Sequence, residues 1–148
     1  MPEALRVVLA AGGTAGHIEP ALNLGDALRR IDPSTAILVI GGERGLESTL
    51  VPERGYDLST VRSAPMPRRP SLDLLKIGPS AWQAMRDAGR LLDEFGAHIV
   101  VGFGGYAALP TYLAARRRGV PVVIHEANAR PGLANRVGAR LTPHVFSS

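Results

Sequence analysis

Three short stretches carry the residue types that could do chemistry. Ala11-Gly12-Gly13-Thr14-Ala15-Gly16-His17 and Gly102-Phe103-Gly104-Gly105-Tyr106 are glycine-rich, and His125-Glu126-Ala127-Asn128 offers a carboxylate beside an amide. Each follows an apolar run that reads as a strand. Glycines at such a point let backbone N–H groups approach a ligand, and a helix starting there adds a partial positive charge suited to a diphosphate. One such loop is weak evidence, since any strand-to-helix turn needs one. Two of them at adjacent strand ends make a shared anion cradle more credible than either alone. The spacing of the first is not the dinucleotide pattern G-x-G-x-x-G, and Gly41-Gly42 stand where a ribose-binding acid would follow the second strand. A nicotinamide enzyme is disfavoured on both counts.

His17, at the helix start, can accept a proton from a sugar hydroxyl or donate to a phosphate, or serve only as a cap-like residue. Tyr106 offers a hydroxyl at a loop edge, with a core tyrosine as the competing reading. Glu126 is the sole acid among the last 54 residues, so an arginine partner that holds the loop competes with catalysis. Asn128 could bind sugar hydroxyls or cap the next helix. Asn135 and Arg136 follow about two helical turns later.

The elements that must position these groups alternate along the chain. Strands are expected at Arg6 to Ala11, Ala36 to Ile40, Tyr56 to Arg62, His98 to Phe103 and Val120 to His125, with a last apolar piece at Val145-Phe146. Helices are expected from about His17 to Arg30, Gly45 to Val51, Leu72 to Phe95 with a break at Gly78-Pro79, Ala107 to Arg118, and Leu133 to Ala139. Ser63 to Pro70 reads as a loop. Parallel strands need helix-length crossovers, so this order predicts an α/β fold, a Rossmann-like parallel sheet with helices on both faces. Ligands in such sheets sit beyond the carboxyl ends of the strands, where the three stretches fall.

Composition narrows the classes further. The chain has 148 residues, 45% apolar and 20% charged, which is enough for one domain with a core. It has no cysteine, so neither a disulfide framework nor a cysteine zinc site is available, and a reducing compartment is the default expectation. The start Met1-Pro2-Glu3-Ala4-Leu5-Arg6 lacks the pattern of a signal peptide. From Ile99 to Ala115, 17 residues carry no formal charge, and Arg116-Arg117-Arg118 follow them. Gly102, Gly104, Gly105 and Pro110 interrupt that run, so strand, loop and helix is preferred to a membrane span.

The net charge of +4 is uneven: residues 1 to 94 hold 11 bases and 12 acids, whereas 95 to 148 hold six arginines and one acid. Sixteen of the 17 bases are arginine, which suits phosphate and is also what a GC-rich genome produces. Only seven aromatics are present and none lies in a nucleic-acid-binding motif, so no nucleic-acid partner is expected. Between Pro65 and Leu92, Arg68, Arg69, Lys76, Arg86 and Arg90 lie beside Leu72, Leu74, Leu75, Ile77, Trp82 and Met85. Part of that apolar set must pack on the sheet; a remainder rimmed by arginine would dock on an anionic membrane surface.

Taken together, Leu9 to Ala21 with its Gly12-Gly13-Thr14-Ala15-Gly16-His17 core, Gly45-Leu46-Glu47, Val51-Pro52-Glu53-Arg54-Gly55-Tyr56, Gly102 to Tyr106, Val123 to Asn128 and Gly132-Leu133-Ala134-Asn135-Arg136 resemble the N-terminal half of the MurG family. These are bacterial UDP-N-acetylglucosamine:undecaprenyl-diphospho-muramoylpentapeptide N-acetylglucosaminyltransferases. The resemblance spans essentially the whole chain. It implies the N-terminal half of a GT-B glycosyltransferase, with residues 1–148 as a single acceptor-binding domain and the donor-binding C-terminal domain outside this sequence. The implied reaction moves N-acetylglucosamine from UDP-N-acetylglucosamine to the muramoyl sugar of lipid I, giving lipid II with inversion, without metal or cofactor, at the cytoplasmic face of the membrane.

By the same resemblance, Thr14, Ala15, Gly16 and Asn128 match donor contacts. Gly13, Gly104 and Gly105 match the cradle of the acceptor diphosphate, and Tyr106, Glu126 and Asn135 match cleft positions. His17 matches the favoured catalytic base. Arg68, Arg69, Leu75, Lys76, Trp82 and Arg86 match the membrane-facing surface, and cell-wall or division proteins are further implied partners. Many relatives have glycine in place of Ala15 and glutamine in place of Ala127. A methyl at Ala15 requires negative φ there or costs about 1 kcal/mol. Because most of the donor site belongs to the second domain of the family, the chain alone is expected to be inactive. A different GT-B enzyme, or a non-catalytic module binding lipid diphosphate, are the competing functions.

Overall fold

The computed structural model describes residues 2–62 and 73–148, and for Asp73 to Ile77 the backbone alone. Six strands, β1 (Arg6–Ala11), β2 (Ala36–Gly42), β3 (Asp57–Val61), β4 (Ile99–Gly104), β5 (Val122–Glu126) and β6 (Val145–Ser147), form one sheet. Between them run α1 (Ala15–Ile31), α2 (Glu47–Glu53), α3 (Asp73–Phe95), α4 (Ala108–Arg117) and α5 (Leu133–Gly138). The strand order is β3-β2-β1-β4-β5-β6 and every pairing is parallel. The chain reverses its direction of travel across the sheet between β1 and β4. Their carboxyl ends therefore flank the crevice at the topological switch point.

Burial on both faces explains the unbroken apolar character of β1. Val8 and Ala10 join the core with Ala88, Leu92, Tyr112 and Ala115 of α3 and α4, while Val7, Leu9 and Ala11 join Ile18, Ala21 and Leu22 of α1 on the other side. In α1, Ile18, Ala21, Leu22 and Gly25 recur at helical spacing and are the buried stripe. The uncharged run from Ile99 to Ala115 is β4, its loop and most of α4. Among the described residues no helix is long and apolar enough to cross a membrane.

The expected break at Gly78-Pro79 is corrected: α3 runs through Pro79 as one 23-residue helix. Proline removes a single N–H bond, the one to the carbonyl four residues earlier. The long remainder of the helix is held by buried Ala84, Ala88 and Leu92, and that packing outweighs the loss. The loop expected at Ser63 to Pro70, with Arg68 and Arg69, lies outside the described residues, as does Leu72.

Candidate functional site

The turn after β1 and the loop after β4 touch. A register shift between Ala10 and Ala11 marks where β4 bulges, Ala10 pairing with Gly102 and Ala11 with Gly104. Gly104 and Gly105 then take φ of +100° and +98°, a conformation that L side chains rarely adopt. A side chain at Gly105 would overlap the Gly12 carbonyl oxygen, so the two loops meet backbone to backbone. Beside this junction lies a cleft of about 330 Å³. Gly13, Thr14, His17, Gly104, Gly105, Tyr106, Glu126 and Asn135 line it, together with apolar Leu109, Leu113 and Leu133.

Thr14 is the N-cap of α1, with extended backbone and no side-chain capping bond. The His17 Nδ1 lies 3.1 Å from the Gly12 carbonyl oxygen and 3.4 Å from Thr14 Oγ1. A carbonyl only accepts, which assigns the ring proton to Nδ1 and leaves the Nε2 lone pair free. Nε2 lies against Gly104, where a Cβ would come within 3.2 Å of it. The imidazole thus presents its basic nitrogen where both glycine loops converge.

The sequence grouped Gly13 with the anion cradle, and it lines the cleft, but its N–H donates to Glu47 Oε1 at 2.8 Å. Within the first turn of α1 the His17 N–H already bonds the Thr14 carbonyl at 3.1 Å, which leaves the Ala15 and Gly16 N–H groups without an acceptor in the helix. Ala15 is its first residue, and no described non-glycine residue has positive φ, so the methyl group is accommodated. Ala15 and Gly16 are exposed at the helix start, outside the cleft lining.

A second network fixes the floor of the cleft. Glu126 Oε1 accepts the Asn128 N–H at 2.9 Å and the Asn128 Nδ2 at 3.1 Å, and Oε2 accepts Asn135 Nδ2 at 2.9 Å. Asn135 Oδ1 in turn accepts the hydroxyl of fully buried Tyr112 at 2.8 Å. Burial pushes the Glu126 carboxyl up, but the hydrogen bonds from Asn128, Asn135 and the Gly132 N–H outweigh it and hold it below the usual carboxylate value. Burial drives the Tyr112 hydroxyl upward, with Glu126 adding to the effect. Glu126 is therefore partnered by amides, where the sequence offered an arginine.

Asn128 does not line the cleft; its amide is turned onto Glu126, and the N-cap of α5 is Gly132. Tyr106 is 54% exposed at the rim, which removes the core reading. The His125 ring stacks at a tilt against Phe103, 5.5 Å between centroids, with the α1-side core. Trp82 and Arg86 lie apart from the cleft in a groove with Met85, Arg90, Arg117 and Arg118, and the Arg117 guanidinium sits 5.3 Å over the Trp82 ring. Leu75 and Lys76 fall within α3, where the description is of backbone alone.

Two lining or supporting residues were missed by sequence reasoning. Arg62 borders the cleft just past β3, and its position at a strand's carboxyl end was the available signal. Glu47, 1% exposed, grips two loops at once, which no spacing rule reveals. Among the described residues no group of three histidine, aspartate or glutamate side chains could hold a metal ion.

Comparison with known proteins adds to this geometry. Residues 7–147 match the model described as the glycosyltransferase family 28 N-terminal domain. The UDP-N-acetylglucosamine--N-acetylmuramyl-(pentapeptide) pyrophosphoryl-undecaprenol N-acetylglucosamine transferase of Thermobifida fusca (strain YX) is 58% identical over 143 residues, 97% of this chain and 38% of that protein. Its namesake from Streptomyces avermitilis is 57% identical, covering 97% of this chain and 40% of the relative. The chain thus spans well under half the length of these curated relatives. The crystal structure of Acinetobacter baumannii MurG matches with a TM-score of 0.78 at 29% identity, over 97% of this chain and 41% of that one. A UDP-N-acetylglucosamine 2-epimerase matches at a TM-score of 0.68 and 17% identity, a likeness of fold alone.

Proposed function

Because the chain belongs to the glycosyltransferase family 28 N-terminal domains, we propose that it is the acceptor-binding part of a transferase that moves N-acetylglucosamine from UDP-N-acetylglucosamine to the muramoyl sugar of lipid I. The names of its 54–58% identical relatives support that pairing of donor and acceptor. The observation that carries the reading is the orientation of His17: Nδ1 donates to Gly12, and Nε2 faces the junction of both glycine loops.

In this reading the acceptor's diphosphate rests on the first turn of α1 and the loop after β4, where N–H groups and the helix dipole stabilise negative charge. The acceptor hydroxyl then points at His17 Nε2. As that oxygen bonds to the anomeric carbon from the face opposite the UDP, its proton passes to Nε2 and the bond to UDP breaks with inversion. The Glu126–Asn135–Tyr112 network holds the far wall at fixed geometry, which conserves the alignment the reaction needs. The remaining length of the relatives would supply most of the donor site, with Thr14, Ala15, Gly16 and Asn128 contributing from this side.

The groove of Trp82, Arg86 and Arg117 is the surface we assign to an anionic membrane face, from which the lipid-linked acceptor would reach the cleft. The deciding experiment is turnover. A full-length enzyme carrying this chain, given UDP-N-acetylglucosamine and a soluble lipid I analogue, should form the inverted disaccharide, and the 148-residue chain alone should not. A full-length enzyme that glycosylates other acceptors and leaves the lipid I analogue untouched would overturn the reading.

A further inference from the structure

Glu47 opens α2, where a carboxylate ordinarily faces water, yet this one is 1% exposed. Its Oε1 accepts two backbone bonds, from the Gly13 N–H at 2.8 Å and from the Gly42 N–H at 3.0 Å. Its stem fills the space over Gly41, where a Cβ would come within 2.7 Å of Cγ, and Oε2 lies unpartnered against Gly45. A buried carboxylate is costly unless charge-assisted bonds compensate it, and here both compensating donors belong to the backbone of glycine turns. The residue therefore ties the turn after β1 to the end of β2.

The Gly13 N–H and the Gly12 C=O belong to one peptide group. In a trans peptide they point in opposite directions, and the described chain contains no cis bond. Glu47 holds the N–H end of this plane, and His17 Nδ1–H is bonded to its carbonyl end at 3.1 Å. Resting on the transferase reading above, we propose that Glu47 is a positioning residue that acts through the Gly12–Gly13 peptide to orient His17 and fix its tautomer. An acceptor oxygen held at the N–H end fixes the tilt of the peptide and polarises it, so the carbonyl stays aimed at Nδ1–H and Nε2 stays the free base. Without that grip the plane is held only by its packing against Gly105 and can tilt, which weakens the bond that selects Nδ1–H.

Two readouts separate this role from general support of the fold. In the 148-residue chain, the 15N shifts of the His17 ring should report Nδ1–H in the parent and in Glu47→Gln, which keeps an acceptor oxygen. They should move towards Nε2–H in Glu47→Ala. Glu47→Asp, one methylene too short to reach both N–H groups, serves the same purpose should the alanine variant not fold. In a full-length enzyme, Glu47→Ala or Glu47→Asp should lower kcat by about tenfold or more with the KM for UDP-N-acetylglucosamine unchanged, and Glu47→Gln should stay within about threefold. A folded alanine or aspartate variant with the parent tautomer overturns the proposal, and so does a shifted tautomer with unchanged kcat. A parent enzyme that transfers nothing to the lipid I analogue overturns the transferase reading instead, while the ring shifts still decide whether Glu47 sets the tautomer.

Discussion

At the level of single residues, the bond from His17 Nδ1 to Gly12 fixes which nitrogen can take a proton. His17→Ala in a full-length enzyme should therefore lower turnover about a hundredfold or more while donor affinity changes little. Loss of donor binding with turnover otherwise intact would show that the ring serves the nucleotide. Asn135 tests the floor of the cleft. Asn135→Leu leaves the buried Tyr112 hydroxyl unpaired and takes one bond from Glu126, so unfolding should become easier by about 2 to 4 kcal/mol, read as a lower denaturation midpoint. Glu126 carries a pH signature as well. Its carboxyl is held below its unfolded value, so its stabilising contribution is complete above that value and is lost as pH falls through the folded one. Glu126→Gln should thus show a shallower loss of Tm than the parent between about pH 6 and about pH 3, and parallel curves would sink the assignment. The places of His17 and Glu126 beside the cleft were legible because they follow β1 and close β5, while that of Asn135, inside α5, came with the family resemblance. Glu47 was not legible, because its partners are backbone groups of two other turns, brought to it only by the order of strands.

Among the elements, the tie between α1 and the segment from α2 to β3 sets exposed ion pairs beside a buried ring, and the buried ring is expected to dominate. Arg54 reaches Glu19 and Asp26 at 3.1 Å each, half exposed to water, while Tyr56 is buried with its ring against Gly25 and its hydroxyl donating to Asp26. Burial and the Asp26 charge push that hydroxyl up to about 12, so it remains a donor throughout the working range. Arg54→Ala should leave the unfolding midpoint nearly unchanged because its partners are solvent-screened, whereas Tyr56→Ala should cost about 3 to 5 kcal/mol by opening a cavity. Comparable midpoints in urea for the two variants would refute that ranking. The stretch Val51 to Tyr56, read in sequence as a family motif, is thus a packing device. Strand positions were legible because both faces of the sheet are buried and each strand reads as an apolar run; helix ends drifted by a turn or less. Pro79 misled because a local rule was applied to a helix whose later turns are anchored against α4.

At the scale of the molecule, the cleft and the basic groove share one helix. Ala81 and Ala84 of α3 border the cleft, and Trp82 and Arg86 of the same turns border the groove, so a ligand in one lies beside a surface resting on the other. Of the six arginines in the last third of the sequence, Arg118 is bonded to Asp93 and Arg116 to the Leu141 carbonyl, while Arg117 covers half-exposed Trp82. Arg117 and Arg86 make no ion pair among the described residues, which leaves their charge to act on a partner. An acidic membrane attracts each such charge by about 1 kcal/mol, and a half-exposed indole adds interfacial affinity. Reversing both in Arg86→Glu with Arg117→Glu should then weaken sedimentation with anionic phospholipid vesicles by roughly thirtyfold or more, since about 2 kcal/mol is lost from attraction alone. The difference should shrink in high salt and with zwitterionic vesicles, because most of the change is screened electrostatics, with only the Arg117 contact on Trp82 lost besides. Equal binding of parent and variant to anionic vesicles would mean that the groove faces water and that a lipid-linked acceptor enters the cleft from another side.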